Sequence, residues 1–458
     1  MNKRFFAIAL AVFATTAILG TNHLCAQGTG TTSQFGGIDV DANGVLSARA
    51  FVDNTGRMDR ELARAAKDSL NTDIQRPSQL RKVSLKRLES AVQKAMENGG
   101  QLPADMQFVA GITRITHVFN MGDDIVIAGP AEGYFVNSQN RVVGTESGES
   151  TIHLEDLIVA LRAFAPNGRP SKVISVSIDP TAEGSERVSQ FAAQLQQNPQ
   201  SIPGNENLIA QKMKEAMGLQ NIVLNGVSPK TRFAQVLTEA DYRMKLIGMG
   251  LQSTPVRITT YVENMPMVAN DALNRWYFQP NYDGVALSSD ETSMMLSGSG
   301  VELVAEQDRI VNGEKITNAK GANKAARTFA GSFTKNYDKL SAKMTVYGEL
   351  RNLIDLSVAA AFIQKAGLYE KANWDMSFFG DEAQFPTEKY NEPTQVEPVV
   401  TAVWKDGAFS TPVGGGVNIQ AFVALRDENI QRDKMSDVET ARQQVEMPEL
   451  DESQWWWD

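Results

Sequence analysis

Two periodicities alternate along this chain. Apolar side chains at Leu85, Leu88, Val92 and Met96 recur three to four apart, so one helical face runs to about Glu97. Ser84 is placed to cap it, and Asn98-Gly99-Gly100 stops it. From Ile112 to Phe119 the β-branched and aromatic run predicts a strand, and "DDIVIAGPAEGYFV" with "RVVG" adds three shorter ones. "LEDLIVALRAF" (154–164) predicts a helix. The middle then alternates: strand at 172–178, helices at 182–197 and 206–218, strand at 221–227. "TRFAQVLTEADYRMKLIGMG" follows Ser228-Pro229 as a long helix with Phe233, Val236, Leu237, Ala240, Met244 and Ile247 on one face. "PVRITTYVE" (255–263) is predicted as a strand. Strands broken by Pro280, Asp283-Gly284 and Gly298 fill 276–317, and two helices fill about 322–343 and 346–365.

Toward the N-terminus, "IDVDANGVL" (38–46) predicts a hairpin around Asn43-Gly44, the strongest short turn signal. It also matches the opening of a calcium loop, but Ala50 stands where the bidentate acid belongs. Residues 370–398 are proline-interrupted and predict a linker or flap, and "VVTAVWKDGAFSTPVGGGVNIQAFVAL" predicts strands around Asp406-Gly407. The fold class expected is α+β or mixed α/β, with sheets covered by helices, β-rich segments before and after, and a helical pair at about 322–365. The expected divisions are a signal peptide (1–26), a flexible arm with a hairpin (27–73), a main α/β module (74–317), the helical pair (318–369), a linker plus hairpin (370–426) and an acidic tail (427–458).

Charge and composition bound the setting. Lys3 and Arg4 precede an apolar run of fifteen residues, Phe5 to Leu19, and then small and polar residues. That order predicts a secretory signal peptide cut between Ala26 and Gln27. A retained anchor is the alternative, but a membrane span needs about 20 residues. Cys25 is the one cysteine of the chain; Leu24 before it is not the small residue that lipid attachment favours. After such a cut 432 of the 458 residues remain, without a thiol. Losing Lys3 and Arg4 takes the net charge from −10 to −12, which disfavours nucleic acid as a partner. No later apolar run reaches membrane length.

The segments "DIVIAGPAEGYFV", "LEDLIVALRAF", "VSIDPTAEG", "SPKTRFAQVLTEADYRMKLIGMGL", "RWYFQPNYD" and "YGELRNLIDLSVAAAFI" resemble an uncharacterised family of exported bacterial proteins, a domain of unknown function typical of planctomycete-type bacteria. The resemblance spans about residues 75–366. It implies export and one large module, and it brings no catalytic residues with it.

Candidate chemistry is sparse. Of three histidines, His23 falls in the signal, and His117 and His153 lack metal-ligand spacing. G-x-S-x-G and the P-loop are absent; "SFTK" (332–335) lacks its partner motifs, and "GMGLQS" ends a helix where a phosphate loop would open one. No cofactor or metal is expected. Glu132 in the glycine-flanked turn "AGPAEG" is a weak ligand-site candidate, as are His117 and Asp241. Their bland alternatives are a hairpin turn, a hydrogen-bonded histidine and a solvated helix face on which Glu239 pairs with Arg243 and Asp241 with Lys245. Arg351 and Asp355 are expected to pair in the same way on the surface of their helix.

The sequence ends on "DESQWWWD". From Asp427 onward ten acids oppose three bases. Trp455, Trp456 and Trp457 cannot all lie on one flat surface. They call for a groove on the chain's own body, on a second copy or on another protein, and so predict partner binding or self-association through this tail. The function expected is an exported, non-catalytic binding or scaffold protein of the periplasm or cell envelope. The alternative is an exported hydrolase with a non-standard site built from Glu132, His117 and Asp241, should they converge.

Overall fold

Strict alternation builds the larger sheet. Ile174, Val176 and Ile178 face inward while Ser175, Ser177 and Asp179 face outward, and Trp276 and Phe278 alternate likewise with Arg275, Tyr277 and Gln279. The computed structural model describes residues 33–35, 37–49, 56–198, 200, 203–265, 273–311, 314–318, 324–401, 404–405, 408–409, 414–445, 451 and 454–458. Ala26, Gln27 and the rest of the expected signal peptide lie outside them.

In chain order the strands are β1 (Ser33–Phe35), β2 (Ile38–Val40), β3 (Val45–Ala48), β4 (Ser78–Ser84), β5 (His117–Asn120), β6 (Ile125–Ala131), β7 (Tyr134–Val136), β8 (Val142–Gly144), β9 (Ile174–Asp179) and β10 (Gln220–Asn225). They continue with β11 (Leu273–Asn281), β12 (Gly284–Leu287), β13 (Met294–Ser297), β14 (Gly300–Val311), β15 (Glu314–Asn318), β16 (Gln395–Val396), β17 (Trp404–Lys405), β18 (Ala408–Phe409), β19 (Gly414–Ile419) and β20 (Trp456–Trp457). The helices are α1 (Arg57–Ser69), α2 (Thr72–Gln75), α3 (Leu85–Glu97), α4 (Ala104–Gln107), α5 (Leu154–Ala163), α6 (Ala182–Gln197) and α7 (Glu206–Met217). They continue with α8 (Arg232–Gly248), α9 (Lys324–Lys335), α10 (Tyr337–Ser341), α11 (Thr345–Lys365), α12 (Leu368–Lys371), α13 (Ala421–Ala424) and α14 (Met435–Gln443).

The fold is mixed α+β. A ten-stranded sheet runs β1-β2-β3-β16-β10-β9-β19-β11-β14-β15, and a six-stranded sheet runs β12-β13-β5-β6-β4-β20. Helix α8 packs against β9 and β19, α5 and α11 pack against α8, and α9 packs against β14. Helix α11 is buried on every side from Thr345 to Ile363, as a helix enclosed by core must be.

Several expectations hold in detail. Ser84 caps α3 by accepting from Arg87 N at 3.1 Å. The 38–46 hairpin forms, with Gly44 at φ +79° in its turn. Its acids serve the chain: Asp41 accepts from Asn43 N and Val45 N, and Asp39 pairs with Arg49. The helical pair appears as α9 to α11.

Other expectations are corrected. Residues 255–263 form no strand, because their backbone bonds elsewhere: Tyr261 N reaches the end of α8 at Gly248 O, and Thr259 N reaches Ser332 Oγ. The 112–119 strand is confined to β5; before it only Ile112 makes an isolated bridge, to Ala131. The 370–398 segment is irregular but packed, not a linker. Trp374, Phe378, Phe379 and Phe385 are buried, and the Glu89 carboxylate accepts from Trp374 Nε1, Phe378 N and Phe379 N. The four-apart charged pairs are also misplaced by periodicity. Arg351 and Asp355 are buried and turn to other partners, Arg351 to Glu149 and Asp355 to Arg114 and Tyr282. No described helix is long and apolar enough to cross a membrane.

Candidate functional site

The three weak candidates occupy separate places, each with its own partners. Glu132 follows β6. Its buried carboxylate accepts from Glu146 N at 2.7 Å, Ser147 N at 3.1 Å and the Ser147 hydroxyl, closing the turn after β8. His117 opens β5, shares a 2.9 Å hydrogen bond between Nδ1 and the Thr116 hydroxyl, and stacks on Phe119. Burial pushes its pKa down to about 4, so the ring is neutral at physiological pH. Asp241 lies on α8, wholly buried, 2.9 Å from Lys245 Nζ, which also donates to Ile178 O. Desolvation raises the Asp241 pKa to about 6 against the pull of Lys245. The pairs Glu239–Arg243 and Asp241–Lys245 form as their spacing requires, but inside the protein and not on a solvated face, because α8 is enclosed by β9, β19, α5 and α11.

Around that helix the interior carries a charged seam that spacing did not reveal. Arg141, just before β8, pairs with Glu239 of α8 and Glu349 of α11. Arg232, at the start of α8, pairs with the same Glu349 and with Asp156 of α5. Arg243 completes the chain on Glu239 and also donates to Gly37 O and Arg49 O. Three guanidiniums thus face three carboxylates that are 1–3 % exposed. Burial raises the Asp156 pKa to about 7, opposed by Arg232; its Oδ1 accepts no hydrogen bond among the described residues. His153 beside it is held neutral by burial and by Arg232 and Arg141. These charges join three helices and the residue that leads into β8. Pairs so buried stabilise little in net terms, but breaking one destabilises by about 3–5 kcal/mol. Among the described residues no group of three or more His, Cys, Asp or Glu could hold a metal ion.

The outer face of the ten-stranded sheet is accessible between β10 and β14. Register places Val223, Ser177, Gly416, Tyr277 and Val304 in one row across five strands. Asn225, Ser175 and Asn418 form a second row beside it, next to Gln279 and Glu302. Val223 is 47 % exposed, and the flanking serines, Tyr277 and Asn418 are half-buried. Gly416 is needed where it stands, since a Cβ there would strike the Val176 carbonyl. It leaves a floor between Val223 and Tyr277, three strand spacings apart, about 14 Å. The Tyr277 hydroxyl donates to Glu306 at 2.6 Å and Gln279 to Glu302 at 2.6 Å, which fixes these side chains in place. The outward residues of "ISVSI" and "RWYFQ" carried this signal in their alternation with apolar ones.

The tryptophan tail is seated on its own chain. β20 pairs antiparallel with the edge of β4, Trp456 opposite Val83 and Trp457 opposite Lys82, and Ser84 N donates to Trp455 O. Trp455 is buried in the main core, while Trp457 packs with Phe119, Val126, Ala128 and Val445. Trp456 lies against the Arg81 guanidinium, 4.6 Å from ring centre to carbon. Of the three settings open from sequence, this is the chain's own body.

Residues 176–261 match a family described as "protein of unknown function (DUF1598)". The match begins in β9, includes α6, α7, β10 and α8, and so covers part of the outer face and part of the buried seam. No curated protein and no solved structure matches the chain.

Proposed function

We propose that this is an exported, non-catalytic binding or scaffold protein of the periplasm or cell envelope, and that it binds through the outer face of its ten-stranded sheet. The observation that carries the reading is that face: two rows of amides, hydroxyls and short side chains presented in fixed register, with Tyr277 and Val223 bordering a glycine floor. Its charged members, Asp179, Glu302 and Glu306 against Arg275, leave it acidic, which suits a polar partner and not a polyanion. The strongly perturbed groups support the same reading from the other side. Asp156, Asp241 and His153 are enclosed and engaged with the chain's own charges. A hydrolase built from Glu132, His117 and Asp241 has less support, since each of the three is committed to different neighbours.

The test is binding of the purified protein to isolated cell envelope, with Val223→Glu and Asn418→Arg as variants. Both positions point away from the core, so the melting temperature should stay within a few degrees of wild type. Saturable binding that falls at least about ten-fold in both variants supports the proposal. Binding unaffected by either substitution contradicts it.

A further inference from the structure

The seat of the tryptophan tail is held partly by contacts that the tail does not make. Arg81 on β4 is wholly buried. Its guanidinium donates to four backbone carbonyls of the body: Ala110 O at 2.8 Å, Arg76 O at 2.8 Å, Asp73 O at 3.1 Å and Ile74 O at 3.3 Å. Those carbonyls fix the orientation of the fork without help from the tail. They do not neutralise it. The carboxylate that pairs with it is Asp458, which accepts from Nε at 2.9 Å and from Nη2 at 3.0 Å in the two-pronged geometry a guanidinium favours. With the tail withdrawn, a buried cation faces carbonyls alone, and the edge of β4 at Lys82–Ser84 loses its partner strand.

We propose that the edge of β4 and the Arg81 cup form a recognition site for an aromatic, acid-ended strand, and that the site takes Trp455–Asp458 from a second copy of the chain as well as from its own. The site reads three things: a carboxylate at the Arg81 fork, an indole face over the guanidinium, and an indole in the Phe119–Val126 pocket. Every one of these contacts is identical whether the strand arrives from the same chain or another. The choice is then one of effective concentration, as in other exchanges of an identical element between protomers. The acceptor residues come from β4, β5, β6 and α14, none of which belongs to the strand itself.

The test uses the full chain. Asp458→Asn removes the charge that holds the chain's own strand and leaves the acceptor intact. A fluorescent peptide of sequence Asp451–Asp458 is titrated into this variant and into wild type, and anisotropy is read, with circular dichroism confirming that both are folded. Saturable binding at least about ten-fold tighter to the variant than to wild type, lost when the peptide itself carries Asn in place of Asp458, is expected. No binding to the variant, or binding that ignores the peptide's Asp458, overturns the site. Light scattering on unsubstituted protein then tests the second copy as donor. A dimer that grows with concentration and dissociates on adding the peptide supports exchange. Mass that stays at one chain across the concentration series overturns it.

Discussion

Removing the charge of Glu349 probes the buried seam at its centre. Glu349 is 2 % exposed and accepts from both Arg141 and Arg232. At pH 8, above the Asp156 pKa, the seam balances three guanidiniums with Asp156, Glu239 and Glu349. Glu349→Gln keeps the volume and leaves one positive charge unbalanced in the interior. Breaking a buried pair in this way costs about 3–5 kcal/mol. The double variant Arg141→Met with Glu349→Leu removes one charge of each sign. It leaves two intact pairs, Arg232 with Asp156 and Arg243 with Glu239. Apolar replacement of a buried pair is often close to neutral, so the double variant should be more stable than Glu349→Gln. Urea unfolding followed by tryptophan fluorescence reads both. With a slope of about 3 kcal/mol/M, the single variant lowers the midpoint by about 1–1.7 M at unchanged slope. A single variant that loses less than about 1 kcal/mol, or a double variant less stable than the single, would show that these charges are hydrated and the seam is not what joins α5, α8 and α11.

Other expected outcomes follow from individual groups. Trp457→Ala removes an indole from the Phe119–Val126 pocket and should loosen the tail by about 3–5 kcal/mol, so the Ser84 amide, which donates to Trp455 O, exchanges with solvent at least about a hundred-fold faster. Unchanged exchange at Ser84 rules out the tail as a strand on β4. Asp156 is protonated more readily folded than unfolded, since its pKa rises from about 3.8 to about 7. Its contribution is therefore full below pH 4 and is lost as pH rises through 7, by up to about 4 kcal/mol. Stability curves of wild type and Asp156→Asn measured from pH 4 to 8 should diverge in that direction, and parallel curves contradict the assignment. The His117 imidazole signal should move in a proton NMR titration only near pH 4, and a midpoint near 6.5 would mean the ring is hydrated.

Much of the fold was legible because local signals and burial agree. Ser84 caps its helix, Gly44 closes its hairpin, and α6 spans the helix expected at 182–197. What escaped lies where tertiary contacts outrank local pattern. The β-branched run 255–263 reads as a strand, yet its amides are taken by Gly248 and Ser332, residues distant in sequence. The charged stripes of α8 and α11 read as wet faces, because spacing reports that Glu239 and Arg243 meet but not that a sheet and two helices close over them. Arg141 and Glu349 stand 208 positions apart, and no window of sequence contains both. The aromatic segment 370–398 reads as a linker because it lacks a period, although Trp374 and Phe379 are buried in the main core. Of the candidate site, the tryptophans were visible as residues in need of a groove; Arg81, the group that receives Asp458, was not singled out.

Binding through the outer sheet face is tested most directly by hydrogen exchange on the intact protein, with and without isolated cell envelope. Slowed exchange confined to 175–179, 221–225, 275–279, 302–306 and 414–418 is the predicted result. Protection that leaves these strands unchanged, or that falls on β4 to β6 instead, contradicts it.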